Sequence, residues 1–303
     1  MYDLISIGNI SVDLFFKGDS LTFKDDRFQL AVGGKYFVEQ FDSCVGGGGA
    51  NVAIGAAKHG LKSAVLGLIG ENSFKKMILH VLEEYKVSTR LCSIEEEYFN
   101  ISSILLSEKG ERSIIHYSTP HQHILGKDVS INRLIDTKVL YLGNVPDVPL
   151  AEREMTLNLC KKNHSLTVIN LGVKDCRRPK KQLEHLLKKT DILILNGHEF
   201  AELVKAQYKD LHFGENVVKW YIPELDETLI IITEGKKGSY AYVADKVVHQ
   251  KAVEVDKIVD TTGAGDGYTA GFISEYHKSK NVEKAMEKGA HYAARILGKL
   301  GAN

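Results

Sequence analysis

Little in this sequence would tie it to a membrane, a nucleic acid or a metal cluster. Lys+Arg and Asp+Glu number 39 each, so no net field draws in nucleic acid or an acidic surface. A small-molecule substrate is the expectation that remains. The four cysteines, Cys44, Cys92, Cys160 and Cys176, are scattered without a Cys-x-x-Cys pair, which fits reduced thiols in a cytosol and excludes a thiolate metal site. No apolar run reaches about 18 residues, and Met1 leads into Tyr2-Asp3-Leu4-Ile5 without a basic segment. A soluble, cytoplasmic protein with no membrane partner is expected. The chain contains no G-x-x-x-x-G-K-S/T string, which excludes a Walker-type phosphate loop, and no G-x-G-x-x-G follows the first strand, which excludes a dinucleotide site there. Internal repeats, low-complexity tracts and interdomain linkers are also missing. The 303 residues therefore read as one domain with a sizeable core.

What is present is an alternation of strands and helices. Leu4 to Ile10 reads as a short strand, placing Asp13 at the carboxyl edge where open α/β sheets bind ligands. A helix opens after Gly46-Gly47-Gly48-Gly49-Ala50-Asn51 and stops at Gly60, followed by a strand at Ala64 to Gly67. Ser73 to Tyr85 reads as an amphipathic helix with Ser73 as its cap. From Lys138 onward strands at Val139, Leu166, Ile192 and Leu229 alternate with helices starting at Pro149, Pro179 and His198. This predicts a mostly parallel sheet with helices on both faces. A hairpin over Ser239 to Val253 and two helices, after Gly265 and around Val282 to Leu297, close the chain. Two stretches depart from the pattern. Phe15 to Phe41 mixes charge, aromatics and glycine without a helical period, and Asn100 to Tyr117 reads as a hairpin turning at Glu108-Lys109-Gly110.

The most informative string is Asp260-Thr261-Thr262-Gly263-Ala264-Gly265-Asp266. Small residues before a helix leave backbone N–H groups uncovered at a helix N-terminus, an anion cradle. A carboxylate such as Asp266 would repel a phosphate held there unless it has work of its own, and the role proposed for it is general base. Near the other end, the glycine run lets a ligand approach the backbone, and Asn51 offers a donor and an acceptor to a hydroxyl. Asn196-Gly197-His198-Glu199 follows a buried strand and reads either as a helix cap or as oxygen donors for Mg²⁺. His116, His121 and His123 lack acidic or thiol partners at ligand spacing and read as surface or substrate-facing groups.

The Asp260 to Asp266 string resembles the C-terminal signature of the ribokinase-like carbohydrate kinases of the phosphofructokinase-B type. The Gly46 to Asn51 run, with Gly60 and Gly70, resembles their N-terminal signature. The resemblance implies a ribokinase-like α/β fold spanning 1–303 with a small inserted β-sheet lid from approximately 15–42 and 98–117. It implies an ATP-dependent kinase that phosphorylates a hydroxyl of a sugar or a sugar-containing molecule such as a nucleoside. The alternatives are a phosphosugar kinase, with Arg112, Arg90 and Lys35 as its only cations near the lid, and a non-catalytic sugar sensor. In the family pattern Asp266 is the base, with Gly263, Ala264 and Gly265 forming the cradle, and Asp13, Gly46, Gly47 and Asn51 bind acceptor hydroxyls. Thr233, Gly235 and Gly238 belong to the nucleotide loop, Asn196 and Glu199 to the Asn-x-x-Glu motif associated with Mg²⁺, and Asp260 with the Thr262 carbonyl to a K⁺ site. The resemblance also allows a homodimer paired through the lid. Phe99-Asn100 stands where the family's lid strand usually begins with Thr-Gly.

Overall fold

The structure, a computed structural model, describes residues 1–19, 21, 23–25, 27–107, 112–120, 123 and 131–303. The expected turn at Glu108-Lys109-Gly110 and the position of His121 lie outside the described residues. In chain order the first half runs β1 (Tyr2–Ile7), β2 (Ser11–Lys17), β3 (Phe23–Lys24), β4 (Arg27–Phe28), β5 (Gln40–Gly46), α1 (Gly48–Lys58), β6 (Ser63–Leu66), β7 (Leu68–Gly70), α2 (Lys75–Glu84), β8 (Ser93–Glu95), β9 (Asn100–Leu106) and β10 (Arg112–Ser118). The second half runs β11 (Thr137–Leu142), α3 (Leu150–Lys162), β12 (Leu166–Asn170), α4 (Val173–Cys176), α5 (Lys180–Leu187), β13 (Ile192–Asn196), α6 (Gly197–Val204), α7 (Val217–Tyr221), β14 (Leu229–Thr233), β15 (Ser239–Val243), β16 (Lys246–Gln250), α8 (Ala264–Ser279) and α9 (Val282–Leu297).

These strands form an eight-stranded sheet in the order β16-β15-β14-β13-β12-β11-β1-β6 and a four-stranded sheet in the order β10-β9-β2-β5. In the large sheet, β6 through β14 are parallel, and only β15 and β16 run antiparallel. Parallel strands buried on both faces need apolar residues in succession rather than in alternation. Ile192–Leu195 and Leu229–Ile232 supply them and are buried throughout. One face carries α1, α8 and α9 around Tyr268, Phe272 and Met286, and the other carries α3, α5 and α6 around Leu157, Leu183 and Phe200.

Two local expectations are corrected. Asp13 does not follow the first core strand as an edge loop: it lies inside β2, a strand of the small sheet, paired with Cys44 of β5 and Ser102 of β9. Gly8-Asn9-Ile10 breaks the chain, and the alternation from Ser11 to Lys17 then sends Asp13 and Phe15 to one face. Ser73 does not cap α2. That helix begins at Lys75 with Phe74 at the N-cap and no side-chain cap, and the Oδ1 of Asn72 accepts the Phe74 N–H at 2.9 Å instead.

Candidate active site

Asp260 braces the loop that leads into α8. Its Oδ1 accepts from the Thr262 N–H at 2.9 Å and the Thr262 hydroxyl at 2.8 Å, and its Oδ2 accepts from the Gly301 N–H at 3.2 Å. Gly263 then turns the chain in the left-handed region, φ 74, where a side chain is strained. A Cβ at that position would also collide with Ala302. The helix starts without a side-chain cap; the Ala264 N–H donates to the Thr261 carbonyl at 3.4 Å, the N–H groups of Gly265 and Asp266 lie too near the helix start to have an intrahelical acceptor, and nothing lies within 4 Å of a Cβ built at Gly265. The cradle expected at Gly263, Ala264 and Gly265 is therefore open on the side where Gly265 stands.

Asp266 sits in the first turn of α8, deep among protein atoms yet in partial contact with solvent. Its Oδ2 accepts from the Nδ2 of Asn51 at 2.8 Å. Burial raises its pKa above the ordinary aspartate value, the Asn51 bond lowers it, and the charge of Asp13 raises it again. A buried carboxylate with an elevated pKa and one neutral donor is a stronger base than a solvated one, which suits proton abstraction.

Asp13 approaches from the small sheet. It is 5% exposed and accepts from the Ser11 hydroxyl at 3.3 Å. Burial raises its pKa, and hydrogen bonds from Ser102 and Ser11 oppose that rise. Gly46 has no Cβ because one would collide with the Asp13 carboxylate. Gly47 caps α1 at φ 89, and Gly48 lies within van der Waals reach of Asp266. The glycine run is thus where the two carboxylates are allowed to approach one another. Cross-strand register continues the row on the same face: Asp13 opposite Ser102, and Ser102 opposite His116. The Ser102 hydroxyl lies 3.2 Å from Nδ1 of His116. Ser102 was not picked out from the sequence. No pattern in the sequence marks it; the alternating burial of β9, which turns Ser102 inward, is visible only in the structure.

Asn51 is placed by α1 with its amide engaged inside the protein, Nδ2 on Asp266 and Oδ1 accepting from Asn303 at 2.9 Å. Arg112, on the edge strand of the small sheet, donates to the Thr261 hydroxyl and lies 3.9 Å from Asp260. It ties this sheet to the cradle. At the carboxyl ends of β13 and β14, Asn196 and Thr233 are register partners. Asn196 and Glu199 form a reciprocal capping box at 2.8 and 2.9 Å. Burial pushes the Glu199 carboxyl up to about 7, against the Asn196 N–H bond and with help from the charge of Asp266. Beyond Thr233, Gly235 and Gly238 both adopt positive φ, and the Glu234 N–H donates to the Gly238 carbonyl at 2.7 Å to close the loop. Glu234 also accepts from the Tyr208 hydroxyl at 2.6 Å, and Tyr208 stacks on His198 at 4.0 Å.

An open helix start, a carboxylate with a raised pKa, a polar row and a glycine loop thus converge on the carboxyl ends of β13 and β14 and the start of α8. A family model described as pfkB family carbohydrate kinase matches residues 1–303. The chain belongs to that family. Among relatives of this kinase, a nucleoside kinase of Methanocaldococcus jannaschii is 23% identical, with 99% of this chain and 92% of that one covered. An ATP-dependent 6-phosphofructokinase of Thermoanaerobacterium thermosaccharolyticum is 26% identical over 99% of this chain and 89% of its own. The crystal structure of adenosine kinase from Sinorhizobium meliloti shares the fold, with a TM-score of 0.81 at 22% identity, covering 100% of this chain and 95% of that one.

Of the expected site residues, this pfkB kinase gathers Gly46, Gly47, Asn51, Asp13, Asp260, Gly263, Ala264, Gly265 and Asp266 where β2, β5, α1 and the start of α8 meet, and Asn196, Glu199, Thr233, Gly235 and Gly238 along the neighbouring strand ends. Among the described residues no three His, Cys, Asp or Glu side chains are grouped as a metal cluster, and no helix is long and apolar enough to cross a membrane. His116 is bound to Ser102, and His123 pairs with Glu152 at 3.1 Å. Burial pushes Cys44, Cys92 and Cys176 up to about 12 and Cys160 to about 11, so none is a ready thiolate.

Proposed function

We propose that this carbohydrate kinase transfers the γ-phosphoryl group of ATP to a hydroxyl of a free sugar or a nucleoside, with Asp13 holding the acceptor and Asp266 taking its proton. The observation that carries this reading is the pair of carboxylates under the lid. Each feels the other's charge or that of Asp260, and among the described residues neither forms an ion pair with lysine or arginine. Such a gap suits a neutral polyhydroxyl, which can donate to both carboxylates and relieve their desolvation.

An acceptor that already carries a phosphate needs a free cation. Arg112 is held by Thr261 and Asp260, and Lys35 lies over the Phe37 ring at 5.2 Å. Both therefore argue for the unphosphorylated acceptor, and Arg90, exposed on the surface, is the one candidate left for a phosphorylated one. A non-catalytic sensor has no need of a base buried beside its donor Asn51.

In the proposed reaction the Asp13 carboxylate and the backbone at Gly46 and Gly47 orient the acceptor. Asp266 accepts the hydroxyl proton, and the N–H groups from Gly263 to Asp266 receive the negative charge that grows on the transferring group. Thr233, Gly235 and Gly238 bring backbone close to the nucleotide. Glu199, with the Asn196 amide near it, offers the oxygen donors that hard Mg²⁺ prefers. Mg²⁺ bound there would spread the charge of the nucleotide phosphates. The set around Asp260 suits K⁺ less well: both carboxylate oxygens already accept N–H or O–H bonds, and the Arg112 guanidinium is close by. No step is assigned to K⁺.

Phe41, Ile115 and Tyr117 are 57%, 61% and 61% exposed on the small sheet. We assign that apolar surface to pairing of two copies through the lid. A cytoplasmic enzyme is the reading that goes with four free thiols, two of them buried.

ATP turnover over a panel of free sugars, nucleosides and sugar phosphates tests the acceptor. The expected result is turnover with a free sugar or nucleoside and none with its phosphorylated counterpart. A preference for the sugar phosphate would replace this reading with the phosphosugar kinase, and inertness across the panel would favour the sensor.

A further inference from the structure

The last residues of the chain close against the site from behind. The Gly301 N–H binds Asp260, Ala302 is 4% exposed against Gly263, and Leu300 packs on Phe15, Ile104 and Leu106. These contacts deliver Asn303 to the far side of Asn51. Its Nδ2 donates to the Val45 carbonyl at 2.8 Å and to the Asn51 Oδ1 at 2.9 Å, so both amide protons are engaged and its own Oδ1 is left buried without a partner. The reverse placement would set that oxygen against the Val45 carbonyl and the Asn51 Oδ1, acceptor against acceptor. Asn51 is thereby fixed in turn. With its oxygen on Asn303, it can present only its N–H₂ to Asp266, at 2.8 Å.

We propose that Asn303 is a positioning residue for phosphoryl transfer: it locks the Asn51 amide so that a donor, never an acceptor, faces Asp266. This rests on the reading of Asp266 as the base. Asn303 touches no reacting atom and acts through Asn51. The groups facing Asp266 are Asn51 from α1, Asp13 from β2, Glu199 from α6 and Tyr141 from β11. Of these Asn51 alone supplies a hydrogen bond to the carboxylate, while Asp13 adds like charge. Losing the Asn51 donor therefore favours protonation of the base. The acid limb of the kcat/KM profile must then move to higher pH, with activity returning once the pH passes the new limb.

The experiment is a pH profile of kcat/KM with ATP and the best acceptor of the panel, for the wild type, Asn303→Ala and Asn303→Asp, each checked for unchanged melting temperature. Asn303→Asp replaces a donor by an acceptor opposite the Asn51 oxygen, and its limb should move up by about one pH unit, a tenfold loss on the acidic side. Asn303→Ala should move it less, and the KM for ATP should stay put in both. In an Asn51→Ala background neither change should have any further effect, because the lock then has nothing to hold. A wild-type limb in Asn303→Asp, a loss equal at every pH, or full additivity with Asn51→Ala would each overturn the proposal. Asp266→Asn run in parallel separates the two claims. If it retains turnover, the base reading fails; if it is inactive while Asn303→Asp keeps the wild-type limb, only the role of Asn303 fails.

Discussion

Strands β13 and β14 of the large sheet bury Ile192 to Leu195 and Leu229 to Ile232 on both faces, whereas β10 of the small sheet leaves Arg112 to Tyr117 exposed along its length. The first arrangement fixes what hangs from its strand ends: Asn196, Glu199, Thr233 and, through α8, the cradle and Asp266. In the proposed reaction these groups meet phosphate, which is the same in every turnover. The second arrangement has one face toward the site, where Asp13, Ser102 and His116 stand in a row, and an edge strand that stays exposed among the described residues. A thin sheet can part to admit an acceptor and close over it. The difference suggests that rigidity is concentrated where charge must be stabilised, and mobility where the acceptor must enter.

The largest break in this picture should come at the point where the two sheets meet. Asp266→Asn keeps the shape and the backbone cradle but removes the base, so turnover should fall by about 10²-fold to 10⁴-fold with nucleotide binding and circular dichroism preserved. Next comes stability. Ile231 is 0% exposed in the large sheet, and Ile231→Ala should cost about 2–5 kcal/mol in denaturant unfolding. Asp13→Ala leaves acceptor hydroxyls unpaired at about 1–3 kcal/mol per group, so the acceptor KM should rise while the ATP KM barely moves. The same variant has a signed pH effect. The Asp13 charge helps to raise the Asp266 pKa, so its removal should shift the acid limb of the profile to lower pH. The smallest effect belongs to the edge: Ile115 is 61% exposed, and Ile115→Ala should change stability by less than about 0.5 kcal/mol.

The large sheet was legible because its strands are unbroken apolar runs between helices with clear stops, such as Gly60. The cradle was legible because seven adjacent residues carry it. Asp13 was identified for its chemistry and misplaced in the fold, since a position five residues after Gly8 can follow the end of one strand or already belong to the next. Ser102 was missed because a serine in an alternating strand has no local mark of function. Asn303 was missed for a stronger reason. Its partners, Asn51 and Val45, lie more than 250 positions away, and only the packing of Leu300, Gly301 and Ala302 brings them together.

Backbone hydrogen exchange with one ligand at a time tests the division between the sheets most directly. Saturating acceptor alone should protect amides of β2, β5, β9 and β10 and leave the Thr233 to Gly238 loop as in the free protein. ADP alone should protect that loop and the start of α8 and leave the small sheet unchanged. If acceptor and nucleotide protected both regions alike, or if the acceptor left the small sheet exchanging as before, the assignment of the acceptor to the lid and of phosphate to the core would be wrong.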